Sequence, residues 1–166
     1  KTLYVAVGSN GVYKSTDAGV HFVRVGSPRV GVVLSLALSG GRLYAGTATE
    51  GVSVSEDGGA TWRNTGVVDG LGLGLSVDSA GAVYLATNFE GAFVLPAAAH
   101  AHRFGETVSA GDARGDDGWR RLAWTQLKDC NCESGHAIVI DPSDHRHVFL
   151  STNDGGLLVT EDGGRS

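Results

Sequence analysis

SEDGGATW, residues 55–62, is the stretch whose reading decides the fold. A serine, an aspartate two residues later and a glycine pair describe a turn that satisfies its own backbone. The Asp57 carboxylate accepts N–H groups within the turn, the Ser55 hydroxyl caps it, and Gly58 and Gly59 supply the positive φ of a tight hairpin. Trp62 returns on the next strand with a large apolar surface to bury. The pattern recurs as Ser15, Asp17, Gly19 and Phe22, and again as Thr160, Asp162 and Gly164. A carboxylate that returns at one local position and is used up by its own turn is structural, so Asp17, Asp57 and Asp162 are not expected to do acid or base chemistry.

Outward from this stretch, a longer phrase repeats. LYVAVGSNGVYKS returns as LYAGTATEGVSVS, VYLATNFEGAFVL and VFLSTNDGGLLVT, with landmarks Tyr4, Tyr44, Tyr84 and Phe149. The first two intervals are 40 residues and the third is 65, a constant period with an insertion of about 25 residues. A glycine follows each landmark at the same offset: Gly11, Gly51, Gly91 and Gly156. Within a repeat, apolar and small or polar residues alternate, which is strand periodicity. The second repeat reads as four strands, VVLSLALS, RLYAGTA, GVSVS and TWRNTG, joined by turns. That is a four-stranded antiparallel meander of the size of one β-propeller blade.

These serine–aspartate–glycine–aromatic turns are Asp-box motifs, and the chain resembles the BNR or Asp-box β-propellers. That superfamily includes sialidase-like, sortilin-type and xyloglucanase-type propellers and photosystem II assembly factors. The resemblance implies an all-β propeller with Asp-box hairpins at the blade periphery, and it specifies the architecture rather than the activity. The expected organisation is an incomplete first blade over 1–29, a second over 30–70, a third over 71–133 with an insertion at 96–118, and an incomplete fourth over 134–166. The first repeat lacks its innermost strand and the fourth its outermost. Three strands at each end overfill one four-stranded blade, so the chain is expected to be an arc of about four blades from a ring of about six to eight. In the third repeat Leu95 and Ala97 stand where Ser and Asp belong, and Trp124 is the expected counterpart of Trp62.

Composition narrows the partners. The chain has 166 residues, 26 glycines, three prolines and a net charge of −5. Glycine without a collagen-like period fits many tight turns. The acidic balance argues against a nucleic-acid surface, and no apolar run is long enough to span a membrane as a helix. No cofactor is called for. No metal is expected either, although Cys130, Cys132 and His136 form a partial ligand set that His100 or His102 could complete. The CxC spacing departs from the usual knuckle, and free or otherwise paired thiols are the plainer expectation. His145 and His147 flank Arg146 in what reads as a solvated turn.

Two functions follow from these features. In the first, the chain is a non-catalytic propeller that binds protein or glycan as an assembly scaffold outside the cytoplasm, secreted, periplasmic or at the cell surface. Its candidate binding loops carry Asn88, Phe89, Glu90, Asn153 and Asp154, because tips that differ on a repeated scaffold are where specificity is built. In the second, it is a secreted glycoside hydrolase of xyloglucanase or sialidase type whose active site lies partly in blades outside the segment. The carboxylates outside the boxes, Asp69, Asp78, Glu90, Asp141, Asp144 and Asp154, mostly sit in turn contexts that give them capping roles. None of the prolines supplies the Arg-Ile-Pro-like motif that the sialidase resemblance implies. Whether the chain is an enzyme stays open on sequence alone, and its catalytic residues stay unassigned.

Overall fold

The structure is a computed structural model, which describes residues 1–28, 32–65, 71–88, 91–98, 118–122, 135–153 and 155–165. Among the described residues, fourteen strands form four antiparallel sheets taken in chain order. The first holds β1 (Leu3–Ala6), β2 (Val12–Ser15) and β3 (Val23–Gly26). The second holds β4 (Val33–Ser39), β5 (Arg42–Thr47), β6 (Val52–Ser55) and β7 (Arg63–Asn64). The third holds β8 (Gly72–Val77), β9 (Val83–Thr87), β10 (Ala92–Leu95) and β11 (Arg120–Arg121). The fourth holds β12 (Gly135–Ile140), β13 (Val148–Thr152) and β14 (Leu157–Thr160). Each is a plain meander, and no α-helix occurs among the described residues.

Why the sheets stack is written in the strand parity. In β5, Leu43 and Ala45, with Val33 of β4, face the first sheet, where they join Val12, Tyr4, Ala6 and Val25. Tyr44, one residue out of phase, faces the third sheet with Val52 and Val54, against Val83, Leu85, Phe93 and Leu95. The alternate residues of the third sheet, Tyr84, Ala86, Ala92 and Val94, meet Ile138, Ile140, Val148 and Leu150 of the fourth. A strand covered on both faces must be apolar or small at every position, and β6, β9 and β10 are buried throughout. The two end sheets differ: Val5 and Val23 of the first and Val139 and Leu157 of the fourth are exposed.

The innermost strands share an irregularity that sequence reading did not foresee. Register shifts occur between Val33 and Ser35, between Gly72 and Gly74, and between Gly135 and Ala137. Each bulge sits at the entrance of its strand and sets one residue outside the ladder: Leu34, Leu73 and His136. A bulge re-aims a side chain and bends the strand. Close approach accompanies it: a Cβ on Gly72 would lie 2.8 Å from the Gly51 carbonyl oxygen, and one on Gly46 would lie 2.3 Å from the Gly72 carbonyl oxygen. Larger residues would push the second and third sheets apart.

Candidate functional site

The meander gives each sheet two ends. Turns between first and second strands lie at the same end as the Asp-box turns, and the tips between second and third strands lie at the other, beside the entrances of the inner strands.

At the box end, three turns repeat one hydrogen-bond pattern. The Ser15 hydroxyl donates to Asp17 (2.7 Å) and accepts from the Gly19 N–H (2.9 Å). Ser55 does the same with Asp57 and Gly59, both at 2.8 Å. Thr160 does it with Asp162 (2.6 Å) and Gly164 (3.1 Å). The aspartate then ties down the return strand: Asp17 accepts from the N–H groups of Val20 and His21, Asp57 from the Thr61 N–H and hydroxyl, and Asp162 from the Arg165 N–H. Glycine is needed where φ reaches 73° at Gly58 and 99° at Gly59. In the first box Ala18 holds a φ of 64° in the place of Gly58, a conformation that L side chains rarely adopt.

These contacts favour the ionised form of Asp17 and Asp57. Hydrogen bonds from Thr61, side chain first, and from Ser55 bring the Asp57 carboxyl down to about 2. The His21 N–H and the Ser15 hydroxyl hold Asp17 far below the usual carboxylate range. Outside the boxes, the Ser143 hydroxyl lowers Asp141, and the Arg146 guanidinium, which donates to Asp144 at 2.7 Å, holds that carboxyl far below its ordinary value. A general acid needs the opposite shift, because it must carry a proton near neutral pH. Asp78 is buried and caps its own turn, accepting from the Ala82 N–H at 2.8 Å, with the Tyr84 hydroxyl 3.5 Å away.

The aromatics of the boxes are placed unequally. Trp62 is half-buried and its Nε1–H donates to the Gly59 carbonyl at 2.8 Å, while Phe22 stays 41 % exposed. In the third sheet the register corrects the expected counterpart. Arg120 pairs with Val94 as Arg63 pairs with Val54, and the Leu122 N–H donates to Ala92 as the Thr65 N–H donates to Val52. Trp119, not Trp124, therefore holds the position of Trp62, since it alone directly precedes the pairing arginine.

At the tip end, a second pattern recurs. Thr47, Thr87 and Thr152 each donate an N–H to the carbonyl of Gly51, Gly91 or Gly156 at 2.8–2.9 Å, and each hydroxyl reaches the same oxygen. The first sheet keeps the backbone bond, Val7 to Gly11 at 2.9 Å, without a hydroxyl. The tips are also moored to inner-strand entrances: the Ala48 N–H donates to Val32, the Asn88 N–H to Leu71, and the Val33 N–H to Gly8. At the fourth sheet the mooring is made by side chains, a hydrogen bond between the His136 ring and the Asn153 amide oxygen. The structure thus brings together two residues that sequence reading had put in separate features, a metal ligand set and a binding loop. Sequence gave no sign of this because the bulge at His136 is a property of pairing.

Phe89, Glu90, Asp154, Asp69, Cys130, Cys132, His100, His102 and Trp124 lie outside the described residues, as does most of the 96–118 segment. Among the described residues no group of three histidine, cysteine or acidic side chains is arranged to hold a metal ion. His145 is exposed, and His147 sits in the turn before β13, its Nδ1 3.8 Å from Asp141. No described helix is long and apolar enough to cross a membrane.

No family model and no curated protein matches the chain in sequence. Solved structures match it in fold. An ancestral GH74 enzyme superposes with a TM-score of 0.71 at 18 % identity, over 98 % of this chain and 21 % of its own. An extracellular domain assigned to a one-component system of B. thetaiotaomicron superposes at 0.62 and 15 % identity, over 96 % and 20 %. YCF48 bound to D1 peptide superposes at 0.63 and 15 % identity, over 99 % and 48 %. The chain has the fold of the BNR or Asp-box-like β-propellers, and it spans from about a fifth to about a half of these three structures.

Proposed function

We propose that the chain is part of a non-catalytic Asp-box β-propeller that works outside the cytoplasm as a binding or assembly scaffold, taking a protein or glycan ligand on its tip face. The observation that carries this reading is the contrast between the two ends of the sheets. At the box end the carboxylates of Asp17, Asp57 and Asp162 are consumed by their own turns, and those of Asp17 and Asp57 are held ionised. At the tip end a constant backbone bond to glycine, made by threonine in three sheets and by Val7 in the first, frames sequences that differ from sheet to sheet: Ser9 and Asn10, Thr49 and Glu50, Asn88, and Asn153. Constant frame with variable tips is how a repeat scaffold builds a ligand surface. The peptide held by YCF48 supports a protein ligand, and the extracellular domain among the matches supports a site of action outside the cytoplasm. The shares of those structures that the chain covers, and the exposed apolar faces of the end sheets, support an arc that works with further blades.

Affinity capture from an extracytoplasmic extract, with the parent and an Asn88→Ala/Asn153→Ala variant of equal thermal stability, tests the scaffold reading. A partner retained by the parent and lost from the variant is expected. A partner set that ignores the tips contradicts it.

A second reading, a glycoside hydrolase, draws on the match to the ancestral GH74 enzyme. It predicts turnover on a panel of chromogenic glycosides and soluble glycans, where the scaffold reading predicts none.

A further inference from the structure

The first and fourth sheets each leave one apolar face uncovered, and the strand register shows which. In the second strand of a sheet, the residue after the landmark aromatic points at the preceding sheet. Ala45, Leu85 and Leu150 hold that position and are fully buried, whereas Val5, which takes the same register in the first sheet, is 42 % exposed. In the third strand, Val12, Val52 and Ala92 point at the following sheet and are fully buried, whereas Leu157, their equivalent in the fourth sheet, is 62 % exposed. Each stands among its own kind. Val5 pairs with Tyr13 and shares its face with Leu3 and Phe22, which meet beside Gly19; Leu157 shares its face with Phe149, Val159 and Val139.

The two faces complement one another by the rule that builds the internal interfaces. In those, the landmark aromatic and a third-strand residue of one sheet, Tyr44 with Val54 or Tyr84 with Val94, meet the second strand of the next sheet. The tryptophan of that next sheet's outer hairpin joins them at Trp62 and Trp119. Phe149 and Val159 repeat the first half of this arrangement, and Leu3, Val5 and Phe22 repeat the second. All five are uncharged, so their contact buries no ion. Arg24, in register with Tyr13, donates its Nε–H to the Asn10 carbonyl at 2.7 Å, which holds it toward the tip and the rim. Within one chain the two faces stay exposed. A second copy carries both halves. Docking of unlike faces is heterologous and ends where the rotation closes. Four sheets from each copy make eight, within the range of propeller rings, so two copies suffice to cover both faces.

We propose that the first sheet of one copy docks on the fourth sheet of a second, and that two copies close head to tail into one ring. The inference rests on the propeller arc and not on the tip-face ligand: a chain that stays monomeric leaves the tip face standing, and a partner set that ignores the tips leaves the paired ring standing. Sedimentation equilibrium of the 166-residue chain tests it. The expected mass is twice the 17.1 kDa of one chain. Val5→Lys and Leu157→Lys place a charge at positions exposed in the single chain, so each variant should keep the circular dichroism of the parent and sediment as a monomer. An equimolar mixture of the two should form a pair again, because one interface then joins two unmodified faces. That pair should dissociate at about tenfold higher concentration than the parent, which is held at two interfaces. Asn153→Ala, at a tip, should keep the parent's mass. A parent that is monomeric at every concentration, a dimer that survives either lysine, a mixture that stays monomeric, or a mass that grows beyond the pair would overturn the proposal.

Discussion

The outer hairpins of the second and third sheets solve one pairing problem in two ways. Both return strands take the same register, Val54 with Arg63 and Val94 with Arg120, and both set a tryptophan just before the pairing arginine. In the second sheet the turn is locked by polar groups: Ser55 holds Asp57 and Gly59, and Gly59 in turn holds the Trp62 indole. In the third, Leu95 replaces the serine and is fully buried, and Trp119 is 5 % exposed with its Nε1 lacking a hydrogen-bond partner among the described residues. Burial has replaced the hydrogen-bonded lock. The polar lock demands a short connection, because every bond in it spans two to four residues. A hairpin closed by apolar packing accepts a long one, since lengthening the connection from eight residues to 25 costs only about 1 kcal/mol in closure entropy. The insertion therefore falls in the one outer hairpin where the box has been lost.

The largest effect that would sharpen this contrast is expected at the third hairpin. Leu95→Ala opens a cavity between the second and third sheets and should cost about 3 kcal/mol, read as a lower urea midpoint with an unchanged m-value. Ser55→Ala should cost less, about 2 kcal/mol, because it strands the buried Gly59 N–H. If the serine change proved the more damaging, the assignment of packing to one hairpin and polar locking to the other would fail. Next come the two tryptophans. Trp62→Phe forfeits the bond to Gly59 and should lose about 1 kcal/mol beyond the cost of changing the ring, whereas in Trp119→Phe no such bond among the described residues is lost. Equal costs for the two substitutions, measured by chemical denaturation, would break the comparison. Ala18→Gly should stabilise by about 1 kcal/mol, by removing the left-handed strain that the other two boxes avoid with glycine; a lower Tm would contradict it.

The smallest effect concerns pH. The Asp57 carboxyl titrates near 3.8 when unfolded and near 2 when folded. A depressed folded value contributes stability that is present above the unfolded value and is lost as pH falls through the folded one. Tm should therefore decline between about pH 4 and 2, and less steeply in Asp57→Asn; an equal slope in the variant would remove Asp57 as a source of the acid sensitivity.

The box turns and the repeat were readable because their information is local. Ser55, Asp57, Gly59 and Trp62 satisfy one another within eight positions, and a period of 40 residues marks each sheet by its landmark aromatic. What was not readable depends on pairing. The stretch WRRLAW offers Trp119 and Trp124 as equivalents of Trp62, and only the register of Arg120 with Val94 chooses between them. The bulge that sets His136 beside Asn153 needs the alignment of β12 with β13. Ala18 looks innocuous in sequence because its cost lies in the backbone it must adopt.

The central claim is that the recurring serine–aspartate pairs hold the turns and act independently of the tip face. Amide hydrogen exchange of Ser55→Ala against the parent tests it most directly. The Gly59 N–H and the Trp62 indole N–H should lose protection, while the Thr47 and Thr152 N–H groups, which frame the tips through Gly51 and Gly156, should keep theirs. Unchanged protection at Gly59, or an equal loss at the tips, would contradict it.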